Sequence, residues 1–121
     1  MERGDVFQVT LPPTSGREQS GPRPAVILQD SDYGQGSPLV LMVPFTSQVN
    51  AERFPGTVTI EPDQANGLKK TSVALVCQIR GIDRKRFGNR IGALSKPDLE
   101  TVLRSLDRLT GRGVKEAVIP E

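Results

Sequence analysis

Short apolar segments, separated by turns rich in Gly, Pro and Asp, recur over the first ninety or so residues. The segment 6–11 alternates apolar and polar side chains, as a half-buried strand does. Further strands are predicted at 25–29, 39–43, 57–60, 72–80 and 89–94. Consecutive short strands with tight turns leave no room for the crossover helices of βαβ units. We therefore expect a mainly β fold, an antiparallel and strongly bent sheet or small barrel, forming one domain over residues 1–121.

One helix is predicted, directly after Leu94. Ser95 is a good N-cap, and Asp98 three residues later approaches a capping box. Gly111 or Gly113 is expected to end the helix. One apolar stripe at helical spacing predicts a core-facing side rather than a recognition surface; it contains Leu99, Val102, Leu103, Leu106 and Leu109. The sequence does not decide whether the tail, 114–121, forms an edge strand or lies loose.

The composition excludes several kinds of chemistry. The chain has no histidine and a single cysteine, Cys77, so no imidazole can act as acid, base or ligand and a zinc site is not expected. We predict no metal and no cofactor. Alternation within 72–80 predicts that Cys77 is a small core residue. No apolar run has the length of a membrane span, and residues 1–5 lack the order of a signal peptide, so we expect a cytoplasmic protein.

Charge is distributed unevenly along the chain. Residues 1–68 carry four basic and eight acidic side chains, whereas residues 69–112 carry eleven basic and four acidic ones. The basic half suits a polyanion, although an ordinary solvated surface would have the same composition. Its most compact cluster is Arg84, Lys85 and Arg86, and alternation adds Gln78 and Arg80 as candidates for an open face.

Arg23 is the leading candidate for a functional side chain. It lies between two prolines, where a predicted loop over 12–24 meets the apolar strand, and a fixed guanidinium there suits a phosphate. The alternative is a surface ion pair. Thr46 and Ser47 follow the third strand, where hydroxyls either bind phosphate or merely end the strand. Glu18 could accept a proton from a ribose 2′-hydroxyl, or pair with a neighbouring arginine.

Six segments occur in the order found in one known family. Together they resemble the MazF/PemK toxins of bacterial toxin–antitoxin pairs across about residues 3–110. The matching segments are 3–6, 16–26, 43–47, 67–75, 78–80 and 91–95.

The resemblance implies an SH3-like barrel with a C-terminal helix, acting as a homodimer. It implies metal-independent, sequence-specific cleavage of single-stranded RNA, including mRNA, by attack of the 2′-hydroxyl to give a 2′,3′-cyclic phosphate. Arg23 and Thr46 would be the central catalytic residues, and Glu18 or a bound water the base. RNA contacts are expected from Thr14, Gln19, Ser47, Gln48, Gln78, Arg80, Arg84, Lys85 and Arg86.

The implied partner is an antitoxin whose acidic disordered segment covers the RNA groove and with which the toxin would bind DNA. One departure concerns the base, because Cys77 stands where many relatives carry an acid. Two alternatives remain. One is a CcdB-like toxin that poisons DNA gyrase without chemistry. The other is a peptide-binding barrel, which the low aromatic content of one Tyr, no Trp and four Phe disfavours.

Overall fold

A computed structural model describes residues 1–112 as seven strands and one helix. The predicted tail, 114–121, lies outside the described residues. Three short 3₁₀ turns, at Val49–Arg53, Val76–Gln78 and Arg84–Arg86, interrupt the chain between strands. The main elements are β1 (Asp5–Leu11), β2 (Gly21–Ile27), β3 (Leu39–Thr46), β4 (Thr57–Ile60), β5 (Ser72–Leu75), β6 (Arg80–Asp83), β7 (Phe87–Ala93) and α1 (Lys96–Thr110).

The strands form one antiparallel sheet in the order β4-β5-β3-β2-β1-β7, and β6 pairs with β3. Strand β3 is its centre. One edge of β3 pairs with β2, and the other pairs first with β6 and then, at Phe45 and Thr46, with β5. Within residues 1–112 no pairing joins β4 to β7, so the sheet is not a closed barrel. The predicted mainly β fold with one C-terminal helix is confirmed.

Helix α1 packs its apolar side on the sheet. Val102 is fully buried in a core cluster that includes Val6, Val43 and Phe45, because the helical stripe covers the apolar face of the strands. The Ser95 hydroxyl accepts a hydrogen bond from the Asp98 N–H at 3.2 Å, as an N-cap does. The core-facing stripe is confirmed except at its last position, since Leu109 is 43% exposed.

The predicted end of α1 is also confirmed. Gly111 adopts a left-handed conformation with φ of 76° and donates its N–H to Arg108 O and Asp107 O.

Two strand boundaries differ from the prediction around prolines. Strand β2 begins at Gly21 rather than 25, so Arg23 lies on a strand and not in a loop. Proline is tolerated here because β3 pairs with β2 only from Ala25 onwards, which leaves one edge of β2 free. Strand β3 likewise runs through Pro44 to Thr46.

The strand predicted over 72–80 was wrong as a continuous element. The 3₁₀ turn Val76–Gln78 divides it into β5 and β6, which shifts the alternation of the side chains. Val76 is consequently buried and Cys77 is exposed, so the prediction of Cys77 as a core residue was wrong. In the part of the chain described, no helix has both the length and the apolar character needed to cross a bilayer.

Candidate functional site

A cleft of about 590 Å³ opens at the C-terminal end of β3, beside the free edge of β2. The segment 67–72, which leads into β5, forms part of its wall. Its lining contains three cationic side chains and no carboxylate. Such a lining attracts anions, because no negative side chain offsets the positive field. The polar and charged side chains that line it are Gln8, Gln19, Arg23, Thr46, Ser47, Gln48, Lys69, Lys70 and Ser72.

Arg23 is held in this cleft by backbone carbonyls. Its Nε and Nη2 donate to Ser20 O at 3.3 and 2.9 Å, and its Nη1 donates to Phe45 O at 3.1 Å. These bonds use three of the five N–H groups of the guanidinium, which leaves one N–H on each terminal nitrogen for a ligand. Burial lowers the pKa of Arg23, but a guanidinium remains charged at neutral pH.

The bond to Phe45 O ties Arg23 to the residue directly before Thr46. The Thr46 side chain lies at the end of the strand with only 7% of the residue exposed. Its Oγ1 accepts a hydrogen bond from the Gln48 N–H at 3.2 Å, which leaves its own O–H available to donate to a ligand. Arg23 and Thr46 therefore meet in one cleft, from strands β2 and β3, and Ser47 and Gln48 extend the same wall.

Gln78 and Arg80 hold the loop between β1 and β2. Gln78 Oε1 accepts from the Gln19 N–H at 2.7 Å, and Arg80 Nη2 donates to Gln19 O at 2.8 Å. Both polar backbone groups of Gln19 are thus bonded across the sequence, which fixes the loop where the Gln19 side chain lines the cleft. The structure places these two predicted RNA contacts behind the loop, not in the cleft lining.

Glu18 and Thr14 lie on the outer side of the same loop. The Thr14 hydroxyl donates to Glu18 Oε1, and this bond is the main reason that the pKa of Glu18 falls below its ordinary value of 4.5. Glu18 lines a separate shallow cleft, together with Arg17, Cys77 and Arg80. The structure therefore brings Arg23 and Thr46 together and leaves Glu18 outside their cleft.

The basic cluster is dispersed around the 3₁₀ turn that it forms. Arg84 Nε donates to Ser37 O at 2.8 Å near the start of β3, at the opposite end of that strand from Thr46. Arg86 Nη1 donates to Thr10 O at 3.3 Å, and Thr10 borders a shallow groove that shares Arg23 with the main cleft. Lys85 is exposed, and none of the three lines the main cleft.

Comparisons with known proteins show the family of this chain. A family model described as PemK-like, MazF-like toxin of type II toxin–antitoxin system matches residues 2–110. The chain belongs to this toxin family. The resemblance to the MazF/PemK toxins found in the sequence is thereby confirmed.

Individual relatives extend the comparison. The chain is 36% identical over 107 residues to the endoribonuclease MazF of Staphylococcus saprophyticus, covering 88% of both chains. It is 37% identical over 107 residues to the endoribonuclease MazF of Staphylococcus epidermidis, again covering 88% of each.

Solved structures of MazF from Deinococcus radiodurans resemble the present fold. One has a TM-score of 0.76 at 28% identity and covers 92% of this chain and 96% of that one. A MazE–MazF structure from the same organism has a TM-score of 0.70 at 28% identity, with the same coverage.

Sequence reasoning missed four polar side chains of the cleft in this MazF/PemK family member. Gln8, Lys69, Lys70 and Ser72 line it but were not among the candidate residues. A signal for the two lysines was available, because they open the basic half of the chain within the segment 67–75 that resembles the family. No comparable signal marks Gln8, which faces the cleft only because β1 pairs with the proline-flanked part of β2.

Proposed function

We propose that this protein is the endoribonuclease toxin of a type II toxin–antitoxin pair and cleaves single-stranded RNA in the cleft at the end of β3. The observation that carries this proposal is the meeting of Arg23 and Thr46 in a cleft whose lining has three cations and no carboxylate. That lining is suited to an RNA phosphate and leaves a guanidinium and a hydroxyl beside it. The endoribonuclease names of the staphylococcal relatives support the same activity.

In the proposed reaction the ribose 2′-oxygen attacks the adjacent phosphorus. The new P–O bond closes a 2′,3′-cyclic phosphate while the bond to the 5′-oxygen breaks. That oxygen leaves as a hydroxyl after taking a proton from a water molecule, and the proton removed from the 2′-hydroxyl returns to solvent. The free N–H groups of Arg23 and the O–H of Thr46 stabilise the negative charge that accumulates on the oxygens of the pentacovalent phosphate. Arg23 is not the base, because a guanidinium scarcely deprotonates.

We assign to Glu18 the removal of the 2′-hydroxyl proton, relayed through one water. It is the one carboxylate in the segment 12–20, and its neighbour Gln19 lines the cleft. A relay through water bridges the separation between Glu18 and the cleft lining, and bound substrate commonly tightens such contacts. Cys77 lines the same shallow cleft as Glu18 and needs no part in this scheme.

The roles proposed for the other predicted RNA-contact residues depend on whether their side chains line the cleft. Ser47, Gln48 and the Gln19 side chain are proposed to contact RNA directly, since they line the cleft. Gln78 and Arg80 act by positioning the loop, and Arg86 and Lys85 would add phosphate affinity outside the cleft.

We further propose that the toxin works as a cytoplasmic homodimer. An antitoxin with an acidic disordered segment would inhibit it, because negative side chains would compete with RNA for the cationic cleft. The MazE–MazF structure of the Deinococcus radiodurans relative supports a protein partner of this kind. Joint binding of DNA with the antitoxin belongs to the same proposal.

The test is cleavage of a long unstructured RNA by the purified protein, with the ends mapped chemically. We expect cuts at one short sequence, leaving cyclic phosphates and free 5′-hydroxyls. Arg23→Ala should slow cleavage about 100- to 1000-fold, because it removes a preorganised, charge-assisted hydrogen-bond donor from the transition state. Lys96→Gln is the matched control, since it removes one exposed cation outside the cleft and should leave the rate within about twofold of the unsubstituted protein.

Two outcomes would contradict the proposal. If Arg23→Ala cleaved as fast as Lys96→Gln, Arg23 would not be catalytic. If the protein made no cuts but trapped gyrase on DNA, the CcdB-like alternative would replace the ribonuclease.

A further inference from the structure

We propose that Lys69 and Lys70 form a second phosphate-binding subsite, which holds a backbone phosphate of the RNA strand beside the one bound at Arg23. The inference rests on the proposed function for the identity of the ligand. Both lysines line the Arg23 cleft and both are exposed. Neither has a carboxylate within 4.0 Å among the residues that the structure describes, where the two ion pairs are Arg90–Asp5 and Arg112–Asp107.

The segment that carries these lysines is fixed by a buried amide. Asn66 is fully buried, and its Nδ2 donates to Glu61 O at 2.9 Å. Its Oδ1 accepts from the Leu68 N–H at 2.9 Å and from the Asp63 N–H at 3.2 Å. A buried side chain with all these bonds made is costly to displace, so it locks the turn that precedes Lys69.

Two glycines let this turn approach β7 closely. Gly67 has φ of +72°, and a Cβ there would lie 2.0 Å from Ile91 O. A Cβ on Gly92 would lie 2.3 Å from Ala65 O. This close approach lets the Ala93 N–H donate to Ala65 O at 2.9 Å, which holds the turn on the sheet, and Ser72 Oγ donates to Lys70 O at 3.0 Å.

Lys69 and Lys70 are thus two cationic side chains on a fixed segment of the cleft wall. No ion pair within residues 1–112 accounts for their position there. Lysine binds phosphate as a point charge on a flexible stem, so a fixed backbone with free ammonium groups suits a backbone phosphate without selecting a nucleotide base. Arg23, by contrast, is immobilised at the guanidinium itself. The two sites therefore have different roles: the lysines bind the backbone of the RNA strand, and Arg23 binds the reacting phosphate.

The experiment measures binding of a single-stranded RNA that carries 2′-deoxyribose at the cleavage position and so cannot be cut. Titrations at several salt concentrations give the slope of log K against log salt, whose magnitude is about 0.7 for each phosphate of a single strand that the protein neutralises. We expect the double variant Lys69→Gln/Lys70→Gln to reduce the slope by about 0.7, the contribution of one phosphate, and each single variant to reduce it by less than that. Lys96→Gln, the control, should leave it unchanged.

Cleavage of the normal RNA provides the second readout. The double variant should raise KM at low salt while kcat stays within about threefold, since an interaction made equally in substrate and transition state strengthens only binding. Thermal unfolding of each variant checks that the fold is intact.

An unchanged salt slope in the double variant, with RNA affinity preserved, would overturn the subsite. The same holds if the substitutions weakened only the binding of an acidic peptide, because the lysines would then serve a protein partner. The protein could instead bind the 2′-deoxy RNA with a salt slope that depends on the lysines, yet never cut RNA. That result would contradict the proposed function but not the phosphate subsite.

Discussion

Arg23 illustrates how much a single residue depends on its backbone. The two flanking prolines do not end a loop; they lie in β2, where the edge towards β3 is still unpaired. The same unpaired edge opens the cleft, so the feature that tolerates proline also exposes the guanidinium. The sequence predicted an anion-binding arginine, and this role stays a prediction. The sequence could not indicate that Ser20 O and Phe45 O would hold it, since both bonds depend on the folded sheet.

Glu18 provides a pH test of the proposed base. A base must be deprotonated, and the Thr14 hydrogen bond lowers the pKa of Glu18 below its ordinary 4.5. The acid-side fall in kcat/KM should therefore lie below pH 4.5, and kcat/KM should be level with respect to this group between about pH 5 and 8. Thr14→Val removes the hydrogen bond and keeps the carboxylate, so it should move the acid limb to higher pH.

Glu18→Gln supplies the companion measurement. Loss of a general base should lower kcat by about 100-fold at neutral pH, because such a group contributes at least that much to a proton transfer. A Glu18→Gln enzyme with nearly full kcat would show that solvent alone takes the proton.

Among the strands and the helix, prediction and structure agree where the signal in the sequence is local. Strand β4 matches the predicted 57–60, and α1 begins after its predicted cap, because alternation and capping act within a few residues. The 3₁₀ turn at Val76–Gln78 had no such signal, since its residues fit a continuous strand equally well. The break is instead imposed by β3, whose one edge accepts β5 and β6 in succession. The exposure of Cys77 is therefore a consequence of this long-range strand pairing.

The cap of α1 gives a stability prediction. Ser95→Ala removes the acceptor for the Asp98 N–H and should lower the free energy of unfolding by about 0.5–2 kcal/mol. Urea denaturation measures it. Ser105→Ala makes the same chemical change inside the helix and should alter stability by less than about 0.5 kcal/mol, since alanine is the better helix former. Equal effects of the two substitutions would remove the capping explanation.

At the scale of the molecule, the cleft is assembled from stretches far apart in sequence. Gln19 comes from the first loop, Thr46 from the end of β3, and Lys69 from the turn before β5. The charge asymmetry of the chain predicted a basic surface, but composition alone could not indicate that its opening lysines face the cleft while Arg84 lies at the far end of β3. Long-range strand pairing decides that division.

The chemistry of the whole chain predicts cleavage in the presence of EDTA. The sequence contains no histidine, and within residues 1–112 no three Cys, Asp or Glu side chains cluster as metal ligands. The proposed nucleophile is supplied by the RNA itself, so no metal-bound hydroxide is required, and Arg23 provides the charge that a cation would otherwise supply. EDTA should therefore change the rate by less than about twofold. At low salt, added Mg²⁺ should slow cleavage by competing for phosphates. A rate abolished by EDTA and restored by Mg²⁺ or Mn²⁺ would show instead that a metal carries the reaction.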